Sequence, residues 1–142
     1  MEEPAVLSAG APTDAWKPLM GDDIRILSIE SCAEGAGVEL KSVVRFSSKM
    51  YLAEGFVATA PGTPLEECSD MCVQVGEGDC IPALELALRH ARVGDSFFVR
   101  SSHKFAYGAA GRPAPTAEAH AVQPYSDLVF EVRLLAKIDV ER

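Results

Sequence analysis

Apolar residues in this chain recur at every second position in several stretches and at every third or fourth position in one, a pattern that predicts strands around a single helix. Asp23 to Glu30 carries the β-branched Ile24, Ile26 and Ile29 between Gly21 and the turn Glu34-Gly35-Ala36-Gly37, and reads as a strand. Lys41 to Ser47 reads as a second, in which Val43 alternates with Arg45 and Val44 with Phe46. Residues 52 to 70 contain Gly55, Pro61, Gly62 and Pro64 and are expected to form loop. The helix is expected over Cys80 to Ala91. Asp79 stands in the N-cap position, Pro82 lies where its missing N–H costs nothing, and Gly94 supplies a stop. Ile81, Leu84, Leu88 and Ala91 recur at helical spacing, so one face of the helix is expected to be buried.

Two more strands are expected, Ser96 to Arg100 and the long Asp127 to Lys137, whose Leu128, Phe130, Val132 and Leu134 share one face. Between them residues 101 to 126 form a long irregular stretch, and such stretches in compact domains usually carry function. Several strands with one short helix and no internal repeat define an α+β architecture.

The 142 residues suit one hydrophobic core, and 48 % hydrophobic with 24 % charged residues is close to the globular average. Residues 1 to about 15 lack any apolar period and read as a flexible tail. Trp16 is expected to dock onto the domain as a short terminal strand or staple, because one indole offers a large apolar area. The expected division is thus a tail over 1–20 and a folded domain over 21–139.

The net charge of -8 argues against a nucleic-acid binder, which needs a basic surface to neutralise phosphates. Residues 1 to 85 hold 15 acidic and 5 basic side chains, while residues 86 to 142 hold 6 and 8. The acidic excess reads as a solvated face, with docking of a basic partner as the sharper alternative. The start, Met1-Glu2-Glu3-Pro4, has no signal-peptide pattern, and no apolar run reaches the ~20 residues of a membrane span, so a cytoplasmic location is the default expectation. Cys32, Cys68, Cys72 and Cys80 form no Cys-x-x-Cys pair and are expected to remain thiols. With His90, His103 and His120 they make no ligand spacing, so no metal site and no cofactor are expected.

Three ordered segments carry a resemblance. They are Val93-Gly94-Asp95-Ser96, then Phe105-Ala106-Tyr107-Gly108-Ala109-Ala110-Gly111-Arg112-Pro113, then Leu128-Val129-Phe130-Glu131-Val132-Arg133-Leu134-Leu135. Together they resemble the FKBP family of peptidyl-prolyl cis-trans isomerases, whose aromatic-Ala-Tyr-Gly-x-x-Gly segment is here Phe105 to Gly111 and whose closing strand is here Leu128 to Leu135. Val75-Gly76, followed by Asp79 to Glu85, is similar to the strand end and helix that carry the family's binding floor. The resemblance implies a curved five- or six-stranded antiparallel sheet wrapped around the helix, with an apolar cleft between them for proline-containing segments.

Carried over residue by residue, the resemblance implies that the Tyr107 hydroxyl and the Ile81 N–H hold ligand carbonyls, with Phe46 and Phe130 as aromatic walls and Leu84 as the floor. Met71, Cys80 and Val122 match side-wall and overhang positions. Phe46 replaces the family's usual tyrosine, Leu84 its floor tryptophan, Thr59 an aspartate and Ala58 a phenylalanine, and Ala114 to Ala121 lengthens the loop before Val122. Similar floor replacements occur in divergent, tetratricopeptide-linked immunophilins. Weak isomerase activity and weak affinity for macrolide immunosuppressants follow, and a non-catalytic interaction or co-chaperone module using the same cleft stays open. Either role belongs to protein folding. Twisting an X–Pro amide needs no nucleophile or acid–base pair, so the absence of such a constellation is compatible with catalysis.

Overall fold

The computed structural model describes residues 16–32, 34–114 and 121–138. The expected tail over residues 1–15 and the inserted residues 115–120 lie outside them. Among the described residues the strands are β1 (Lys17–Met20), β2 (Ile24–Glu30), β3 (Val43–Leu52), β4 (Glu66–Gln74), β5 (Ser96–Ser101) and β6 (Leu128–Ile138), with one α-helix, α1 (Pro82–Leu88), between β4 and β5. They form one six-stranded antiparallel sheet in the order β1-β2-β5-β6-β3-β4, the α+β architecture expected of the sequence. The sheet does not close, and β1 and β4 are its edges.

β6 sits centrally, paired with β5 on one side and along β3 on the other. Its alternation settles which face looks inward, because a one-residue slip would turn Leu128, Phe130, Val132 and Leu134 to the opposite side. Those four pack with Val44, Phe46 and Met50 of β3, Phe97 and Val99 of β5, Ile24 of β2, and Ala83, Leu84, Ala87 and Leu88 of α1. The helix presents one apolar stripe to one face of the sheet, and the main core lies between them.

The other face is not left bare. Leu27, Tyr51, Ala53, Phe98 and Val129 form a second buried cluster, covered by Ile29, Trp16 and the loop residues Phe56 and Ala58. Phe56 meets Phe98 edge-on at 5.2 Å between ring centroids, and Trp16 stands 6.5 Å from Phe56 and 6.3 Å from Phe98. Distances and tilts of this kind suit the aromatic quadrupole. The sequence predicts half-buried strands with one apolar face, yet Val129 and Leu27 are fully buried on the side away from the helix.

Two local expectations are corrected. Part of the loop expected over 52–70 is strand: β4 begins at Glu66 and runs through Glu-Glu-Cys-Ser-Asp-Met-Cys-Val-Gln. An edge strand bonds to one neighbour only and needs little apolar alternation, and within β4 only Val73 is buried. Arg45 of β3 grips Asp70 of β4 through two hydrogen bonds of 3.0 and 2.8 Å, which supports the register from the exposed side. The helix is also shorter than Cys80 to Ala91. The Asp79 carboxylate accepts from the Gln74 N–H at 2.9 Å and closes the preceding turn instead of capping the helix, so Ile81 takes the N-cap position with no side-chain cap. Past Leu88 the chain tightens, His90 N–H bonding Ala87 O and Ala91 N–H bonding Leu88 O, before Gly94 turns it with φ +98°. A Cβ on Gly94 would lie 3.0 Å from that of Cys32, so this turn requires glycine on both counts.

Trp16→Ala should lower stability by about 1–3 kcal/mol, less than for a fully enclosed tryptophan because its indole is only partly covered. Urea titrations followed by circular dichroism measure this directly. A midpoint equal to the parent's would mean that the second cluster does not depend on the indole.

Candidate functional site

The site grows from the end of β4 and the first turn of α1. Ile81 has extended backbone (φ -62°, ψ 153°), and the helix begins at Pro82, so the Ile81 N–H takes no part in the intrahelical ladder. Leu84, one turn on, is 4 % exposed and packs in the same cluster as Phe46 and Phe130. Met71 pairs with Phe46 across β4 and β3, and its sulfur stands 3.9 Å from the Ser48 hydroxyl. Burial pushes the Cys80 thiol up to about 12, with the charges of Glu85 and Asp79 adding to the effect, so it is a neutral, partly buried thiol.

Tyr107 arrives from the irregular stretch after β5. The Asp127 carboxylate accepts the His103 N–H at 2.9 Å and anchors a short 3₁₀ turn, His103–Phe105. Gly108 N–H returns to His103 O and Gly111 N–H to Tyr107 O, which coils the backbone around the tyrosine. Gly111 has φ +67°, and a Cβ there would lie 2.3 Å from Val122 O. That closeness lets Arg112 and Val122 exchange two backbone hydrogen bonds of 2.8 and 2.7 Å, and Val122 is buried in the main core.

The fold thus brings Phe46, Leu84, Val122 and Phe130 into one buried cluster, with Met71, Cys80, Ile81 and Tyr107 packed partly buried against it. It does not bring Ala58 or Thr59 there. Ala58 packs against the second cluster on the far face of the sheet, and Thr59 is exposed.

Two residues that the sequence reading does not single out stand beside Tyr107. Arg112 Nη2 forms an ion pair with Glu66 Oε1 of β4 at 2.6 Å. Arg112 Nη1 donates to the Tyr107 hydroxyl oxygen at 3.4 Å, and the guanidinium carbon stands 5.2 Å from the centre of the Tyr107 ring. Burial alone would lower the Arg112 pKa, but Glu66, with a contribution from Tyr107, more than offsets it and the net direction is upward. Glu66 gives no signal in the sequence because it falls in the stretch read as loop. Arg112 is visible beside the Gly-rich turn but has no partner there to give it meaning.

An open antiparallel sheet over a short helix, with Tyr107 packed partly buried against the main core, makes this an α+β domain with its candidate site at the start of the helix. The sequence model of the FKBP-type peptidyl-prolyl cis-trans isomerases matches residues 38–135, and the chain belongs to that family. Solved structures share the fold. The three FKBP domains of wheat FKBP73 align with a TM-score of 0.71 and 19 % identity over 86 % of this chain, which spans only 48 % of theirs. The N-terminal domain of FKBP42 from Arabidopsis thaliana aligns with a TM-score of 0.71 at 15 % identity, covering 87 % of this chain and 92 % of that one. A peptidyl-prolyl cis-trans isomerase from Pseudomonas syringae pv. tomato aligns with a TM-score of 0.65 at 17 % identity, covering 88 % and 82 %. No curated protein matches the chain. Among the described residues no helix is long and apolar enough to cross a membrane.

Cys80 offers a test of its own burial. An acid whose pKa is raised on folding contributes its full stability below its ordinary value of 9, and loses it as pH climbs from 9 towards 12. The parent should therefore lose more stability between pH 9 and 11 than Cys80→Ala does, as read from urea midpoints. Parallel losses in the two proteins would contradict the assigned burial.

Proposed function

We propose that this domain binds proline-containing segments in the cleft at the start of α1 and accelerates their cis–trans isomerisation slowly. The observation that carries the reading is the convergence of Tyr107, Phe46, Phe130, Leu84, Ile81 and Val122 from five separate parts of the chain onto one apolar cluster. Twisting an X–Pro bond must overcome ~18–20 kcal/mol of amide resonance, and the twisted amide is less polar than the planar one. An apolar enclosure therefore favours the twisted state relative to water, while the Tyr107 hydroxyl and the Ile81 N–H hold the flanking carbonyls. No ionised catalytic group and no cofactor enters this scheme.

Leu84 argues for slowness. A tryptophan typically buries ~150–250 Å², and a leucine floor supports a planar proline ring over a smaller area. The same feature limits affinity for macrolide ligands. A second reading, a binding module without catalysis, is favoured by the charged Glu66–Arg112 pair beside Tyr107, which offers a polar contact to a bound segment. In this reading the cleft holds proline segments of client proteins without turning them over.

NMR exchange spectroscopy on a proline tetrapeptide separates the two. The parent should raise the isomerisation rate above the spontaneous one, and Leu84→Trp should raise it further and tighten macrolide binding. Overpacking a core position can cost ~1–3 kcal/mol, so the urea midpoint is measured beside the rate. Peptide binding with no acceleration, in the parent and in a folded Leu84→Trp protein alike, would make the domain a non-catalytic binder. An absence of peptide binding would remove the cleft reading altogether.

A further inference from the structure

We infer that Arg112, braced by Glu66, is a positioning residue that aims the Tyr107 hydroxyl and strengthens it as a hydrogen-bond donor to the ligand carbonyl. This rests on the cleft reading above and adds to it residues that act through Tyr107.

The geometry assigns the direction of each proton. A guanidinium has donors and no acceptor, so in the Arg112–Tyr107 contact the tyrosine oxygen must accept. Its own proton is then left for another acceptor. A hydroxyl that accepts from a cation has its O–H bond further polarised, which makes it a better donor to a third group. The 3.4 Å separation is long for a hydrogen bond, and contacts of this kind commonly tighten when a ligand arrives. The guanidinium also stands near the ring as well as near the hydroxyl, so it opposes rotation of Tyr107 away from the cleft.

Glu66 makes this placement tolerable. The Arg112 side chain is only 19 % exposed, and a cation so covered would be drawn back to water without a nearby anion. Separate nitrogens serve the two partners, Nη2 facing Glu66 and Nη1 facing Tyr107, so one guanidinium bridges β4 and the tyrosine loop. The backbone holds the bridge in place, because Arg112 is fixed through both its N–H and its C=O to Val122. The consequence is a coupling: edge strand β4, which supplies none of the carbonyl donors, controls the orientation of one of them.

The test is a double-mutant cycle on kcat/KM for a proline tetrapeptide, with peptide affinity measured in parallel. Arg112→Met, which keeps side-chain length and removes charge, should lower both quantities roughly tenfold in the parent, the scale of a lost charge-assisted hydrogen bond. In a Tyr107→Phe background the same change should have almost no effect, since the hydroxyl it acts through is gone. Glu66→Gln should act in the same direction more weakly. Arg112→Lys should recover part of the loss, and it serves as the alternative variant if Arg112→Met does not fold. Equal losses in the parent and Tyr107→Phe backgrounds would overturn the inference, because Arg112 would then act on ligand or fold directly. No loss in the parent background would overturn it too. A parent that neither binds nor isomerises the peptide would overturn the cleft reading and this inference together, an outcome distinct from absent coupling in a protein that works.

Discussion

The pairing of β6 with both β3 and β5 is the constraint on which the structure depends. The strand is the longest in the sheet, and its inward residues Leu128, Phe130, Val132 and Leu134 are almost wholly buried. Burying a large apolar side chain contributes about 1.5–3 kcal/mol relative to exposure, and four on one strand compensate much of the entropy of ordering that strand. The register that places them also places Phe46 opposite Leu134 and Met50 opposite Phe130. Core and candidate site therefore share one set of alternating positions. Phe130 belongs to both, which means that a change in sheet register would abolish the site as surely as it would unfold the core.

Around that apolar base, polar groups are few and fixed by the backbone. Asp127 leaves the start of β6 to hold the turn that launches the Tyr107 loop, and Asp95 ties Cys32 to Arg92 beneath the end of the helix. Each carboxylate accepts backbone N–H groups that irregular chain would otherwise leave unsatisfied. A loop built this way can carry a well-placed hydroxyl without an enclosing strand. The Glu66–Arg112 contact extends the same principle beside Tyr107, joining an edge strand to the loop by charge where no backbone ladder is available.

The second cluster changes how the sheet should be regarded. Antiparallel sheets commonly leave one face to solvent, but here Trp16 and the loop after β3 cover part of the outer face. Ala58 lies in that cover. A position matched by sequence order to a pocket wall thus packs on the opposite side of the sheet, against the second cluster.

Strands with strong alternation, the helix with its proline start, and the Tyr107 loop with its glycines are all legible in the sequence, since each depends on residues close together along the chain. The convergence of Phe46, Leu84, Tyr107 and Phe130 is expected from the resemblance alone, and β4 escapes a sequence reading because an edge strand bonded on one side imposes little pattern on its residues. Asp79 looks like a helix cap because its spacing from Pro82 is correct, but its carboxylate meets the Gln74 N–H first. The partnership of Glu66 with Arg112 and Tyr107 cannot be read in advance. It joins residues far apart in sequence through a side-chain approach that exists only once β4 has paired with β3 and Val122 has drawn Arg112 into place. Local chemistry determined the elements, and the tertiary pairing alone decided which charges would meet, because electrostatic contacts depend on distance in space and not on separation along the chain.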